Sequence, residues 1–243
     1  MEIEQTDSAA TGFDSFRLQV ERRPDAYVRE LFMVRVYVNE VEMTARGAGA
    51  GMDPYDLLVP TNRLIAGQQP HTVPIARCSC GEYGCGATDV TITRDGDVVR
   101  WQWSLREAPM DRAAVFVAED YDREVVRMAA DYSWETPGRT AGRLVLTGVD
   151  RAHLRAYGLT PSWVSDRRSV FEICLGIGED YQVFVDIAPC DRSPEEIARA
   201  ACEILARPPH QWQASWHARR GGPLAEPPAI AGSQWQRLRP GRR

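Results

Sequence analysis

Thr88–Thr93 and Val98–Trp103 are two runs of alternating apolar and polar residues flanking Arg94-Asp95-Gly96-Asp97. Alternation with a period of two marks a strand with one buried face. Asp-Gly between two such runs is a strong hairpin signal, because a tight I′ turn needs positive φ at both centres. On the second arm Val99, Trp101 and Trp103 share a face. A hairpin with two tryptophans on one side must be covered there, so the chain is committed to an antiparallel sheet with something packed against it.

The rest of the chain extends this pattern. Leu31 to Thr44 alternates Met33, Arg35 and Tyr37 with Val34, Val36 and Val38, which reads as a strand ending in a flexible glycine-rich loop over 46–51. Ala114–Ala118 reads as a short strand. Asp120–Trp134 then places Tyr121, Val125, Met128 and Tyr132 at helical spacing, with Glu119, Asp120, Asp122 and Glu124 at the positive end of the helix dipole. Pro137-Gly138 is expected to end that helix, and Gly142–Val149 to form a strand. Asp150 caps a short helix, and Val170–Ile177 and Tyr181–Ala188 pair around Gly178-Glu179-Asp180. Ser193, Pro194 and Glu196 make a capping-box helix start.

The expected fold class is therefore α+β, a largely antiparallel sheet with helices packed on one side, in two halves that are crude structural analogues. Residues 1–26 read as a flexible lead-in, 27–138 as the N-terminal half and 139–220 as the C-terminal half. In the latter, Trp212 and Trp216 stand four apart and are expected on one face of a final helix. Residues 221–243, rich in Gly, Pro and Arg, read as a disordered basic tail whose removal leaves the fold intact.

Composition narrows the function classes. All 29 basic residues among the 243 are arginine. Without lysine there is no Schiff-base nucleophile, no pyridoxal-phosphate anchor and no P-loop lysine. Richness in Ala, Arg and Gly points to a GC-rich bacterial genome. The net charge of −5 is uneven: residues 207–243 hold seven arginines against one acid, the remainder 22 against 33. A predominantly acidic body argues against nucleic acid as the main ligand and for a protein partner. No apolar run approaches a membrane span, and the first residues carry no apolar signal core, so the expected location is the cytoplasm with its thiols reduced.

One compact motif bears chemistry. Cys78-Ser79-Cys80-Gly81-Glu82-Tyr83-Gly84-Cys85-Gly86 places three thiols within eight residues, among glycines that permit tight turns. Thiolates on a turn with backbone N–H donors around them make a metal knuckle. Zinc takes four ligands, so His71 or one of Cys174, Cys190 and Cys202 would have to complete the set. Two readings stand side by side: a zinc site on Cys78, Cys80, Cys85 and His71, or a buried turn whose cysteines act as small apolar groups. A redox role for Cys78 and Cys80 is a third, with Arg77 adjacent to lower a thiol pKa.

The run from Cys78 through Asp95-Gly96-Asp97 to Val98 and Trp101 resembles a family of uncharacterised bacterial proteins with a C-x-C-G-x2-G-C turn followed by a β-hairpin. The resemblance covers about one tenth of the chain and implies a motif that recurs as a unit. It implies no catalytic residues.

Other motifs weaken against their spacing. Gly47-Ala48-Gly49-Ala50-Gly51 lacks the dinucleotide-loop pattern, the acids at 119–124 lack calcium-loop spacing, and the four histidines form no zinc-binding pair. Two function classes follow: a binding or interaction protein of accessory or immunity type, or an enzyme of unfamiliar type that uses the Cys78–Cys85 turn.

Overall fold

The computed structural model describes residues 12–25, 29–78, 80, 85–104, 108–166, 170–188, 191–219 and 226–238. The fold is α+β with largely antiparallel sheets, and the chain divides into two compact units, 1–131 and 132–243. No described helix is long and apolar enough to cross a membrane.

The first unit holds two sheets. β1 (Phe16–Asp25) pairs antiparallel with β2 (Arg29–Val38), which pairs with β3 (Val41–Glu42). The expected lead-in is thus corrected over 16–25. Phe16, Leu18 and Val20 alternate with Arg17, Gln19 and Glu21, a strand pattern opposite Val38, Val36 and Val34. Asn39 and Glu40 both have positive φ (51° and 61°) and turn the chain from β2 into β3. The strand expected through Thr44 is therefore broken there and gives way to α1 (Met43–Arg46).

The second sheet runs in the order β4 (Ala50–Gly51), β5 (His71–Arg77), β6 (Ala87–Asp95), β7 (Val98–Trp103), β8 (Ala114–Val117). β6 and β7 form the expected hairpin, with Asp95 opposite Val98. Only Gly96 of its two central residues has positive φ, 55°, the II′ pattern rather than I′. Val99, Trp101 and Trp103 are buried, and Arg100 and Gln102 face out. Trp101 packs against Tyr121 of α3 (Ala118–Ala130), a helix that also buries Val125 and Met128.

The expected loop over 46–51 is pinned. A Cβ on Gly51 would stand 2.2 Å from the Val34 carbonyl oxygen, and one on Gly47 2.0 Å from Thr88 Oγ1. The Ala48 N–H donates to that same hydroxyl, at 2.8 Å. These are close approaches that glycine permits, and the Ala48 amide is spent on the protein.

The first unit also holds α2 (Pro54–Leu57), and the second begins at Tyr132. Pro137 does not end a helix but starts one, α4 (Pro137–Gly148), capped by Thr136, whose Oγ1 accepts from Arg139 N–H. The expected strand over 142–149 is accordingly corrected, and the expected boundary at 138 falls inside this helix. Ala141, Val145 and Val149 recur every four residues and enter one core. α5 (Arg151–Ala156) is capped by Asp150, which accepts from Ala152 and His153 N–H.

β9 (Leu159–Ser165), β10 (Phe171–Ile177) and β11 (Tyr181–Ile187) form an antiparallel sheet covered by α4 and by α6 (Pro194–Leu205). α6 begins with the full capping box of Ser193 and Glu196.

The C-terminal expectations change most. Trp212 and Trp216 do not share a helix: after a short 3-10 turn over Pro209–Gln211, Trp216 lies in β12 (Ser215–Ala218), antiparallel to β11. Within the expected disordered tail, residues 226–238 pack on this unit. β13 (Gln236–Arg237) pairs parallel with β12, and Trp235 stacks on Trp212 at 6.4 Å with an interplanar angle of 16°. Trp235 Nε1–H donates to the Pro209 carbonyl at 3.0 Å, and Trp212 Nε1–H to Arg207 at 2.8 Å. Residues 1–11, 220–225 and 239–243 lie outside the described residues.

Asp14 anchors the entry to the first unit. Its carboxylate accepts from Arg112, Asn39 Nδ2 and the Val115 N–H. The Arg112 guanidinium holds its pKa down at about 2, against an ordinary 3.8. The unfolded chain therefore takes up its proton first as pH falls, so this stabilisation is complete above about pH 4 and lost as pH drops through about 2.

Two outcomes follow. Asp14→Asn should cost on the order of 2 kcal/mol at pH 7 and almost nothing at pH 2 in denaturant titrations. Truncation after Arg220 should lower the melting temperature, and Trp235→Ala alone should cost about 3 kcal/mol.

Candidate metal centre

The thiol turn is the connection between β5 and β6. Arg77 pairs with Ala87 at the end of their ladder, and one further bond, Cys78 N–H to the Gly86 carbonyl at 2.9 Å, closes the root of the turn. The sheet thereby fixes where Cys78 starts and where Cys85 ends. Residues 79 and 81–84 of the turn lie outside the described residues.

Cys78, Cys80 and Cys85 converge, with all three Sγ atoms within 4.8 Å of one another. Cys78 is half-buried, and Cys80 and Cys85 are exposed. The Cys80 N–H lies 3.4 Å from Cys78 Sγ, the kind of backbone donor that stabilises a thiolate ligand. These three residues are placed to hold a metal ion. The reading of the turn as a buried apolar feature does not fit two exposed thiols.

Crowding has an electrostatic consequence. Hydrogen bonds with Cys80 and Cys78, followed by repulsion from their developing charges, push the Cys85 thiol up to about 11. The metal-free Cys85 thiol therefore keeps its proton at neutral pH. A divalent ion would replace that proton, because metal ligation requires the thiolate.

His71 does not join them. It opens β5, whereas Cys78 follows the strand's last residue. Six residues of extended chain separate the two, a span of roughly 20 Å. Its Nε2–H donates to the Arg63 carbonyl at 2.8 Å. The physical reason is the strand itself: its extension carries the two residues to opposite ends of the sheet.

The other candidate ligands are also elsewhere. Cys174 is buried in β10 and Cys202 is half-buried on α6, both in the second unit, and Cys190 lies outside the described residues. Arg77 turns its guanidinium to Asp56, at 3.0 Å, and to Met52 Sδ, at 3.1 Å, so the sequence neighbour expected to acidify a thiol is engaged elsewhere.

The acidic start of α3 is committed to arginine. Arg123 pairs with Glu119 and Asp120, Arg94 with Asp122, and Arg127 with Glu124. Glu124 also accepts from the Leu18 N–H and so ties α3 to β1. Among the described residues, the three cysteines are the only group of metal-ligating side chains that converges in this way.

Sequence reasoning missed the bracing of this site. Thr88, the second residue of β6, is fully buried and holds the Gly47–Ala48 backbone against the sheet close to the turn. The alternation of β6 marked Thr88 as inward-facing, which was the available signal.

His71→Ala should leave metal stoichiometry unchanged by elemental analysis, whereas Cys85→Ser should reduce it. Compared with family models, curated protein sequences and solved structures, the chain gives no match.

Proposed function

We propose that this is a binding or interaction protein of bacterial type in which the Cys78, Cys80 and Cys85 thiolates hold one zinc ion and so fix the β5–β6 turn. The observation that carries the zinc reading is the convergence of three sulfurs within 4.8 Å on a turn rooted in a sheet. Zinc–thiolate bonds of about 2.3 Å set tetrahedral sulfurs roughly 3.8 Å apart, a small closure from that arrangement. One further donor completes the four-ligand shell.

The partner reading rests on charge. The acidic excess outside residues 207–243 favours a basic protein surface, and residues 226–238 pack on their own sheet instead of forming a loose cationic arm. The exposure of Cys80 and Cys85 favours the alternative of an enzyme working at this turn, since reactive cysteines are accessible ones.

Purified, untagged protein should carry about one equivalent of zinc, and a strong chelator should lower its melting temperature. The triple cysteine-to-serine variant should lose the metal and that stability increment together. Protein that is metal-free as purified, does not take up zinc and melts unchanged with chelator would overturn the zinc reading.

A further inference from the structure

We infer that Cys80 and Cys85 are a reversible oxidation site, joined as a disulfide by a peroxide-class oxidant and released by thiols. The inference uses the same turn as the zinc reading but does not depend on an ion being bound. Three observations carry it.

The first is proximity. The Sγ atoms already lie within 4.8 Å, and a disulfide needs sulfurs about 2.05 Å apart. The Cys78–Gly86 bond at the hairpin root lies outside the loop that such a link would close.

The second is access. Cys80 and Cys85 are the two exposed members of the cluster, whereas Cys78 is half-buried at its base and Cys174 is buried within β10. An oxidant in solution reaches the first pair.

The third is the extra thiol. Cys78 stays within reach of the pair, with its sulfur against the Cys80 N–H. It is placed to exchange with the new disulfide, which keeps the bond labile to external thiols.

The chemistry balances with hydrogen peroxide as the only co-reactant. One sulfur attacks a peroxide oxygen, the O–O bond breaks, and a sulfenic acid and one water form. The second thiol attacks the sulfenic sulfur, the S–S bond forms, and a second water leaves. Two thiols and one peroxide thus give one disulfide and two waters, with two electrons passing from sulfur to oxygen. When an ion is bound, the step consumes two of its ligands and takes two protons from solvent, so oxidation releases the metal.

The test treats full-length protein, in metal-stripped and zinc-loaded forms, with stoichiometric hydrogen peroxide. The tryptic peptide from Cys78 to Arg94 is then mapped by mass spectrometry without reduction. The expected result is the loss of two hydrogens within that peptide, a Cys80–Cys85 link, Cys78 still open to alkylation, and recovery with dithiothreitol. The zinc-loaded form should release its ion in step with the link. Cys78→Ser should still form it, and Cys80→Ser and Cys85→Ser should not. Oxygen added to single cysteines without a cross-link, or a link between chains, would overturn the inference. Failure to bind zinc would show only in the loaded arm and would overturn the metal reading alone.

Discussion

A buried hydrogen-bonded aromatic cluster holds the first unit together. Trp101, fully buried on β7, donates through Nε1 to Tyr121 Oη at 3.2 Å, and that hydroxyl donates to the Leu64 carbonyl at 2.6 Å. Phe16 stacks on Tyr121 at 4.7 Å, and Phe116 lies 5.8 Å edge-on to Trp101. One cluster thus binds β1, β7, β8, α3 and the loop at Leu64. Burial raises the Tyr121 hydroxyl's pKa well above its ordinary value, so it remains a neutral donor at all physiological pH values. An indole and a phenol are tolerated at this depth because each N–H and O–H finds an acceptor.

The thiol turn inherits its geometry from that cluster. β7 is fixed by Trp101, β6 by its ladder to β7, and β5 by its ladder to β6. The turn between β5 and β6 therefore starts and ends at positions set by the sheet, while Cys80 and Cys85 are exposed. This combination suits a site that must keep its shape and still exchange a proton, an ion or an electron pair with the surroundings. The raised pKa of Cys85 comes from the two thiols crowded against it, Cys80 and Cys78, while Arg77 turns to Asp56.

The second unit is closed by its own C-terminal segment. Trp235 reaches back to stack on Trp212, and Gly232 passes so near the His210 carbonyl that a Cβ would stand 1.8 Å away. Ordering a dozen residues for a single indole would be unfavourable at about 1–2 kcal/mol each. Here the same residues also add a strand to the sheet edge, through Gln236 N–H to Ala214 and Leu238 N–H to Trp216. Backbone pairing and the stacked indoles together offset a cost that neither offsets alone.

What the sequence alone determined is what neighbouring residues decide. Gly96 turns the β6–β7 hairpin, Ser193 and Glu196 start α6, Asp150 caps α5, and three cysteines within eight residues share a turn. Each of these needs only a few adjacent groups to be satisfied. The tertiary structure decided everything that turned on a distant partner. Residues 142–148 are helical because Ala141, Val145 and Val149 meet a core built by β9, β10 and α6. Trp216 is in a strand because β11 had an edge to pair. His71 is withdrawn from the thiols because the strand between them must run the length of the sheet. An apolar residue announces that it will be buried, but which surface receives it is set by chain segments that local sequence does not name.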